Sequence, residues 1–277
     1  MAKYRYAMDE QKIARFIKEG RGKGEGQDYK PWLKIQDVPS IGRSSRPYSH
    51  KTGREHHFLS DIENAAFFFY HWSDDVVDIR EQYPIDRAVT QQIAKDMGVP
   101  HPADPQTGCQ IVMTTDLLIN TLDMRLLARS VKPHDSFDRR VLDKLEIERR
   151  YWELQSVDWG LITQHELPEN RINNIRWAHE LHSLDSLVVP YSGYWEDRCK
   201  ALINFLHQAG DITIRMMIDD LENSHHFGPG EAITVIRHLI SNKKIHIDMD
   251  KRWDVKSHIS FIGLLEDPTS EERIRVA

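Results

Sequence analysis

The chain is poor in cysteine: Cys109 and Cys199 are its two thiols in 277 residues, and they form no Cys-x-x-Cys pair. Neither a disulfide framework nor a thiolate zinc site is available to it. It has no His-Glu-x-x-His run, and the adjacent His56 and His57 point in different directions, which excludes a zinc peptidase of that type. No apolar run approaches the roughly 20 residues that cross a bilayer. The N-terminal "MAKYRYAMDEQK" lacks the hydrophobic centre of a signal peptide, so a cytoplasmic protein is expected. Glycines at 20, 22, 24 and 26 form a loop, yet no Gly-Lys-Ser/Thr follows to make it a P-loop.

What is present is a chain long enough for two domains with ordinary cores. Its charge is sorted. Between Lys12 and Arg54 eleven Lys/Arg face four Asp/Glu, an excess of seven positive charges, so the rest of a chain with net charge −6 carries −13. A basic segment on an acidic protein suits a polyanion, because each neutralised phosphate releases counterions. A solvated basic loop has the same composition. The candidate phosphate contacts are Arg21, Lys23, Lys30, Arg43, Arg46, Lys51 and Arg54, with Tyr29 and Trp32 beside them.

Periodicity divides the chain near residue 168. Before it, "DEQKIARFIKEG" reads as a short amphipathic helix, "LSDIENAAFFFYHW" as a buried helix, "VVDIREQYP" as a strand and "RAVTQQIAKDMG" as a polar helix. The apolar stretch from Met113 to Pro133 reads as a β-hairpin, "SFDRRVLDKLEIERRYWELQ" as a long helix and "VDWGLIT" as a further strand. Helix, strands, helix and strand predict a mixed α/β layer over 1–167. Over 168–277 the pattern predicts helices at about 169–184, 195–209, 211–222 and 230–241. Two short alternating segments follow, "KIHIDM" and "SHISFI", in the order of a winged helix.

The hairpin carries two charges inside apolar runs. A turn at Asp123, Met124 and Arg125 would set Asp116 opposite Lys132, on the face shared with Leu126, Ala128 and Ser130. The two could form a structural ion pair or part of a charged site. Glu63 lies three residues after Ser60, the spacing of a capping box, which also fixes a carboxylate at the start of a rigid helix. Glu148 falls on the stripe of Val141, Leu145 and Trp152, so it either snorkels at the helix edge or meets Lys132, a metal or a metal-bound water. Glu146, around the helix, can meet Arg150 in solvent.

Helix Glu, strand Asp, strand Lys and an inward Glu are what phosphodiester hydrolysis requires. Carboxylate oxygens of Glu63 and Asp116, with the Val131 carbonyl, suit Mg²⁺ at about 2.0 to 2.1 Å, and Mn²⁺ should substitute. The metal acidifies water and neutralises charge on the phosphoryl group. Lys132 adds a positive charge beside the attacking water and phosphate, and Glu148 would stand behind this set.

At these residues the sequence resembles the TnsA endonuclease subunits of heteromeric cut-and-paste transposases, in the restriction-endonuclease-like PD-(D/E)xK superfamily. The likeness runs through "RFIKEGRGKGEGQDYKPWLKIQDVPSIGR", "YSHKTGREHHFLSDIE", "DIREQYP", "MTTDLL", "SVKP" and "KLEIERRYWE". It implies a restriction-endonuclease-like sheet followed by a winged-helix-like C-terminal domain. It also implies that Glu63, Asp116 and Lys132 are the catalytic Glu, Asp and Lys. One position departs from the pattern: two residues before the Lys, where the superfamily usually has Glu and TnsA proteins can have Gln, stands Ser130. The Val131 carbonyl is indifferent to that change. The resemblance further implies cleavage of double-stranded DNA at the 5′ transposon ends, a DDE-type partner transposase, TnsB, that cuts the 3′ ends, and an AAA+ regulator, TnsC, contacted through the C-terminal part. A stand-alone restriction-like nuclease and a non-catalytic winged-helix DNA-binding scaffold are the alternatives.

Overall fold

The computed structural model describes residues 6–39, 43–223 and 227–264, and the chain forms two compact units that divide between Leu167 and Pro168. Parts of the two expected domains, 1–5, 40–42, 224–226 and 265–277, lie outside the described residues. Among those described, no helix is long and apolar enough to cross a membrane.

The first unit contains α1 (Glu10–Lys18), β1 (Tyr48–Ser49), β2 (Arg54–Glu55), α2 (Asp61–Trp72), β3 (Val76–Pro84), α3 (Arg87–Met97), β4 (Thr114–Thr121), β5 (Leu126–Val131), α4 (Arg139–Leu154) and β6 (Asp158–Ile162). Each α-helix starts where a short polar side chain satisfies an orphan N–H: Asp9 accepts from Lys12, Ser60 from Glu63, Asp86 from Val89 and Asp138 from Val141. Such caps contribute about 1 kcal/mol each. Gly98, at φ 67°, ends α3 in the left-handed conformation that its missing Cβ allows.

The sheet has the order β3-β4-β5-β6, antiparallel across the first two junctions and parallel across the last. A parallel neighbour needs a crossover, and α4 supplies it between β5 and β6. Alternation along the strands sends Leu118 and Ala128 into the core shared with Ile93 of α3 and with Ile147 and Trp152 of α4. On the opposite face Arg129 reaches the hydroxyl of Tyr70 on α2 (3.1 Å). Helices thus flank a mixed sheet, a fold of the restriction-endonuclease-like kind.

The hairpin differs from expectation by two residues in register. Leu117 pairs with Arg129 and Asn120 with Leu126, so the loop is Leu122, Asp123 and Met124. Met124, at φ 63°, takes the left-handed position of a three-residue turn, and Thr121 and Arg125 close it by N–H···O at 3.0 Å. A two-residue shift leaves every side chain on its expected face, because side chains alternate with period two.

The second unit holds α5 (Glu169–His179), α6 (Tyr194–Gln208), α7 (Ile214–Asn223), α8 (Glu231–Ser241) and an antiparallel pair, β7 (Ile245–Ile247) with β8 (Ile262–Leu264). α5 stops short of residue 184. Ser183 donates to Asp185 (2.8 Å) and accepts from its N–H (3.1 Å), a local turn that competes with helix. Part of "SHISFI" is a 3-10 turn, Ile259–Phe261, and only its end enters β8. α8 is the unit's central helix, with Ala232, Val235, Ile236, Leu239 and Ile240 all buried.

Candidate active site

Three elements of the first unit converge at one end of the sheet. On α2 the Ser60 cap is present but not the reciprocal capping box: Ser60 Oγ accepts from the Glu63 N–H (3.3 Å) and donates to Oε1 (2.9 Å), while the Leu59 N–H, not that of Ser60, donates to Oε2 (3.1 Å). The cap holds the carboxylate in one orientation while leaving it buried against the sheet. On β4, Asp116 is likewise buried, and its Oδ2 accepts from the Val131 N–H and from Lys132 Nζ, both at 2.7 Å. Lys132 Nζ also donates to the Val131 carbonyl (2.9 Å).

Lys132 is therefore not directly opposite Asp116, as the expected turn implied. The observed register carries Asp116 toward Ser130, and the longer lysine reaches back along the same face. The two meet because the slip preserved the face.

Glu148 points inward from α4 and is buried. Its Oε1 accepts from Thr115 Oγ1 (2.7 Å), and that oxygen in turn accepts from Trp152 Nε1 (2.7 Å). The carboxylate does not snorkel. Glu146 pairs with Arg149 and Arg150 instead, at 2.8 and 2.7 Å. Ser130 is fully buried beside Glu148, yet its hydroxyl has no hydrogen bond of ordinary geometry.

A residue without a sequence motif of its own, Gln82, also enters the site. It lies in β3 between Glu81, paired with Leu117, and Tyr83, paired with Thr115, and its backbone is left-handed at φ 48°. That conformation costs an L-residue about 1–2 kcal/mol. Its buried amide nitrogen sits 3.5 Å from Glu63 Oε2 and 3.4 Å from Asp116 Oδ1, long for hydrogen bonds, while Oε1 accepts from Thr114 Oγ1 (3.0 Å). Nothing in the residue pattern marks it, since helices cover both faces of the sheet and residues 78–82 are all buried in succession.

Glu81 faces a different cluster. Arg54 donates to both of its oxygens (2.8 and 2.7 Å), His56 Nδ1 lies 2.8 Å away and the His57 N–H donates at 3.0 Å. Burial opposes the charge on Glu81, but His56 and Arg54 outweigh it and hold the carboxyl well below its ordinary range.

This removes several residues from the expected phosphate contacts. The charge of Arg54 is spent on Glu81. Arg21 pairs with Asp37 (2.5 Å) and Glu19 (2.7 Å) and stacks 3.5 Å from the Phe16 ring centre. Lys51 Nζ donates to the carbonyls of Ser73 and Val76. Tyr29 and Trp32 are core residues, each 3% exposed, and the Tyr29 hydroxyl donates to the Glu81 carbonyl (3.0 Å). Lys23, Lys30, Arg43 and Arg46 are exposed.

The electrostatics of the converged set are unbalanced. Glu63, Asp116 and Glu148 face the single ammonium of Lys132. Burial, and then the charge of Asp116, push both Glu63 and Glu148 up to about 7. Burial alone would lower the pKa of Lys132, but the Asp116 carboxylate beside it reverses the shift, so Lys132 stays a cation. Hard oxygens and several buried carboxylates around one lysine fit a divalent cation of the Mg²⁺ type.

Residues 73–164 match the family described as TnsA-like endonuclease N terminal, and residues 166–249 match TnsA endonuclease C terminal. The chain is 39% identical over 256 residues to the Transposon Tn7 transposition protein TnsA of Escherichia coli, covering 91% of each chain. By sequence along nearly its whole length, the chain belongs to the TnsA endonuclease family.

Proposed function

We propose that this protein is the Mg²⁺-dependent DNA endonuclease subunit of a heteromeric transposase and hydrolyses phosphodiester bonds at the 5′ ends of its transposon. The observation that carries the reading is the meeting at the end of the sheet of buried Glu63 and Asp116, both beside the Gln82 amide, with Lys132 paired to Asp116. Glu63, Asp116 and the Val131 carbonyl would hold the cation, and Mn²⁺ would substitute. Bound there, a divalent ion acidifies water and draws charge from the scissile phosphate.

The chain's own residues supply the rest. The Ser60 cap fixes Glu63, and the Val131 N–H fixes Asp116, so neither must be ordered when substrate arrives. Lys132 remains protonated, so it acts through its charge on phosphate oxygens and not as a base. Glu148, anchored by Thr115, stands behind the site. Exposed Lys23, Lys30, Arg43 and Arg46 are the charges left to meet the DNA backbone.

The name of the Escherichia coli relative ties it to Tn7 transposition. By that likeness a TnsB-type transposase cuts the 3′ ends, and a TnsC-type regulator meets the C-terminal unit. The test is cleavage of transposon-end duplexes with and without the partner transposase, in Mg²⁺ and in chelator. A heteromeric subunit cuts only with both partner and metal, whereas efficient cutting by the isolated chain would identify a stand-alone nuclease.

A further inference from the structure

The Gln82 amide is a neutral group within 3.5 Å of both Glu63 and Asp116, placed there by a left-handed backbone near the end of β3. Backbone strain of this kind persists where the surroundings over-determine it. Here the Trp32 N–H binds the Gln82 carbonyl (3.2 Å), and the Glu81 cluster grips the residue before it. An amide is also a two-faced group, with NH₂ as donor and Oε1 as acceptor. The observed orientation turns NH₂ to the carboxylates and Oε1 to Thr114 Oγ1.

Thr114 does not constrain that choice. Its hydroxyl donates to Oε1 as found and can accept from NH₂ if the amide is reversed. Reversal would therefore keep the Thr114 bond and present an oxygen toward Glu63 and Asp116. Two carboxylates facing a carbonyl oxygen repel it unless a cation lies between them. The site also lacks a side-chain oxygen from β5 that reaches as far: Ser130 is short and lies beside Glu148.

We propose that Gln82 belongs to the cation site: it bridges Glu63 and Asp116 through NH₂ in the metal-free protein and offers Oε1 as a neutral ligand when a divalent ion binds. The inference rests on the metal-dependent reading above, and its test separates the two. Mn²⁺ binding to the full chain is measured by calorimetry and by the loss of the free-ion electron paramagnetic resonance signal. Gln82→Glu keeps an oxygen and binds Mn²⁺ at least as tightly as the wild type. Gln82→Met and Gln82→Asn weaken binding about tenfold or more, the scale on which metal sites respond to loss of a supporting group. Asn tolerates the left-handed backbone, so Gln82→Asn keeps the fold while its amide falls one methylene short. Metal-free thermal melts verify this. Unchanged or tighter Mn²⁺ binding in Gln82→Met and Gln82→Asn, with binding abolished in Asp116→Ala, overturns the role of Gln82 and leaves the metal centre standing. Unchanged binding in Asp116→Ala as well overturns both.

Discussion

Lys132 and Asp116 form an ion pair at 2.7 Å although the register of their strands sets them two residues out of step. The lysine reaches along the face to do so, and the Val131 N–H joins it on the same carboxylate oxygen. The pair is thus held from two sides. Lys132→Ala leaves Asp116 its backbone donor but removes the cation, so 5′ strand cleavage should fall by about 10²–10³-fold, as when a transition-state charge partner is lost. Single-turnover cleavage rates at saturating Mg²⁺ measure this. A loss below threefold would deny Lys132 the role.

Proton linkage gives a second expectation. Glu63 and Glu148 rise from the ordinary 4.5 to about 7 in the fold. A raised carboxyl binds its proton more tightly folded than unfolded, so its contribution to stability is complete below 4.5 and is lost as pH rises through about 7. A divalent cation that binds Glu63 must displace that proton. Calorimetric titration of Mg²⁺ near pH 6 in buffers of different ionisation heat should show proton release, shrinking above about pH 7. Binding heats independent of the buffer at pH 6 would contradict it.

The basic segment separates into structural and exposed charges. Glu81→Gln leaves Arg54 buried beside a neutral partner and should destabilise the fold by about 3–5 kcal/mol, read from a denaturant midpoint. Substituting Lys23, Lys30, Arg43 and Arg46 together by Ala should leave that midpoint nearly unchanged and flatten the dependence of DNA binding on salt. An unchanged salt slope would place the phosphate contacts elsewhere.

Met124 is 91% exposed at φ 63°, so its side chain packs on nothing while its backbone is strained. Met124→Gly should raise stability by about 0.5–1 kcal/mol, strain relief being partly offset by glycine's greater unfolded freedom. A destabilised variant would mean that the turn does not have this conformation.

Much of the fold was legible because periodicity reports burial directly. The apolar run after Ala65 became α2, the alternation of residues 76–84 became β3, and the inward stripe containing Glu148 became the buried face of α4. Asp116 and Lys132 were legible as charges inside apolar runs, and Glu63 as a cap. What stayed hidden depends on partners distant in the chain. Arg54 reads as a free cation until Glu81 closes on it, and Arg21 until Asp37 does. Gln82 stayed hidden because its direction comes from one backbone angle that residue type does not announce. The hairpin register missed by two because nothing about Met124 favours the left-handed turn position that it occupies.

The most direct measurement of the central claim follows both DNA strands at once. Transposon-end duplexes labelled on each 5′ end are incubated with Mg²⁺, the partner transposase and wild-type protein, Glu63→Ala, Asp116→Ala or Lys132→Ala. Each variant should abolish 5′ strand cuts while the partner's 3′ strand cuts continue. Persistent 5′ strand cutting in all three would contradict a metal-dependent centre built on Glu63, Asp116 and Lys132.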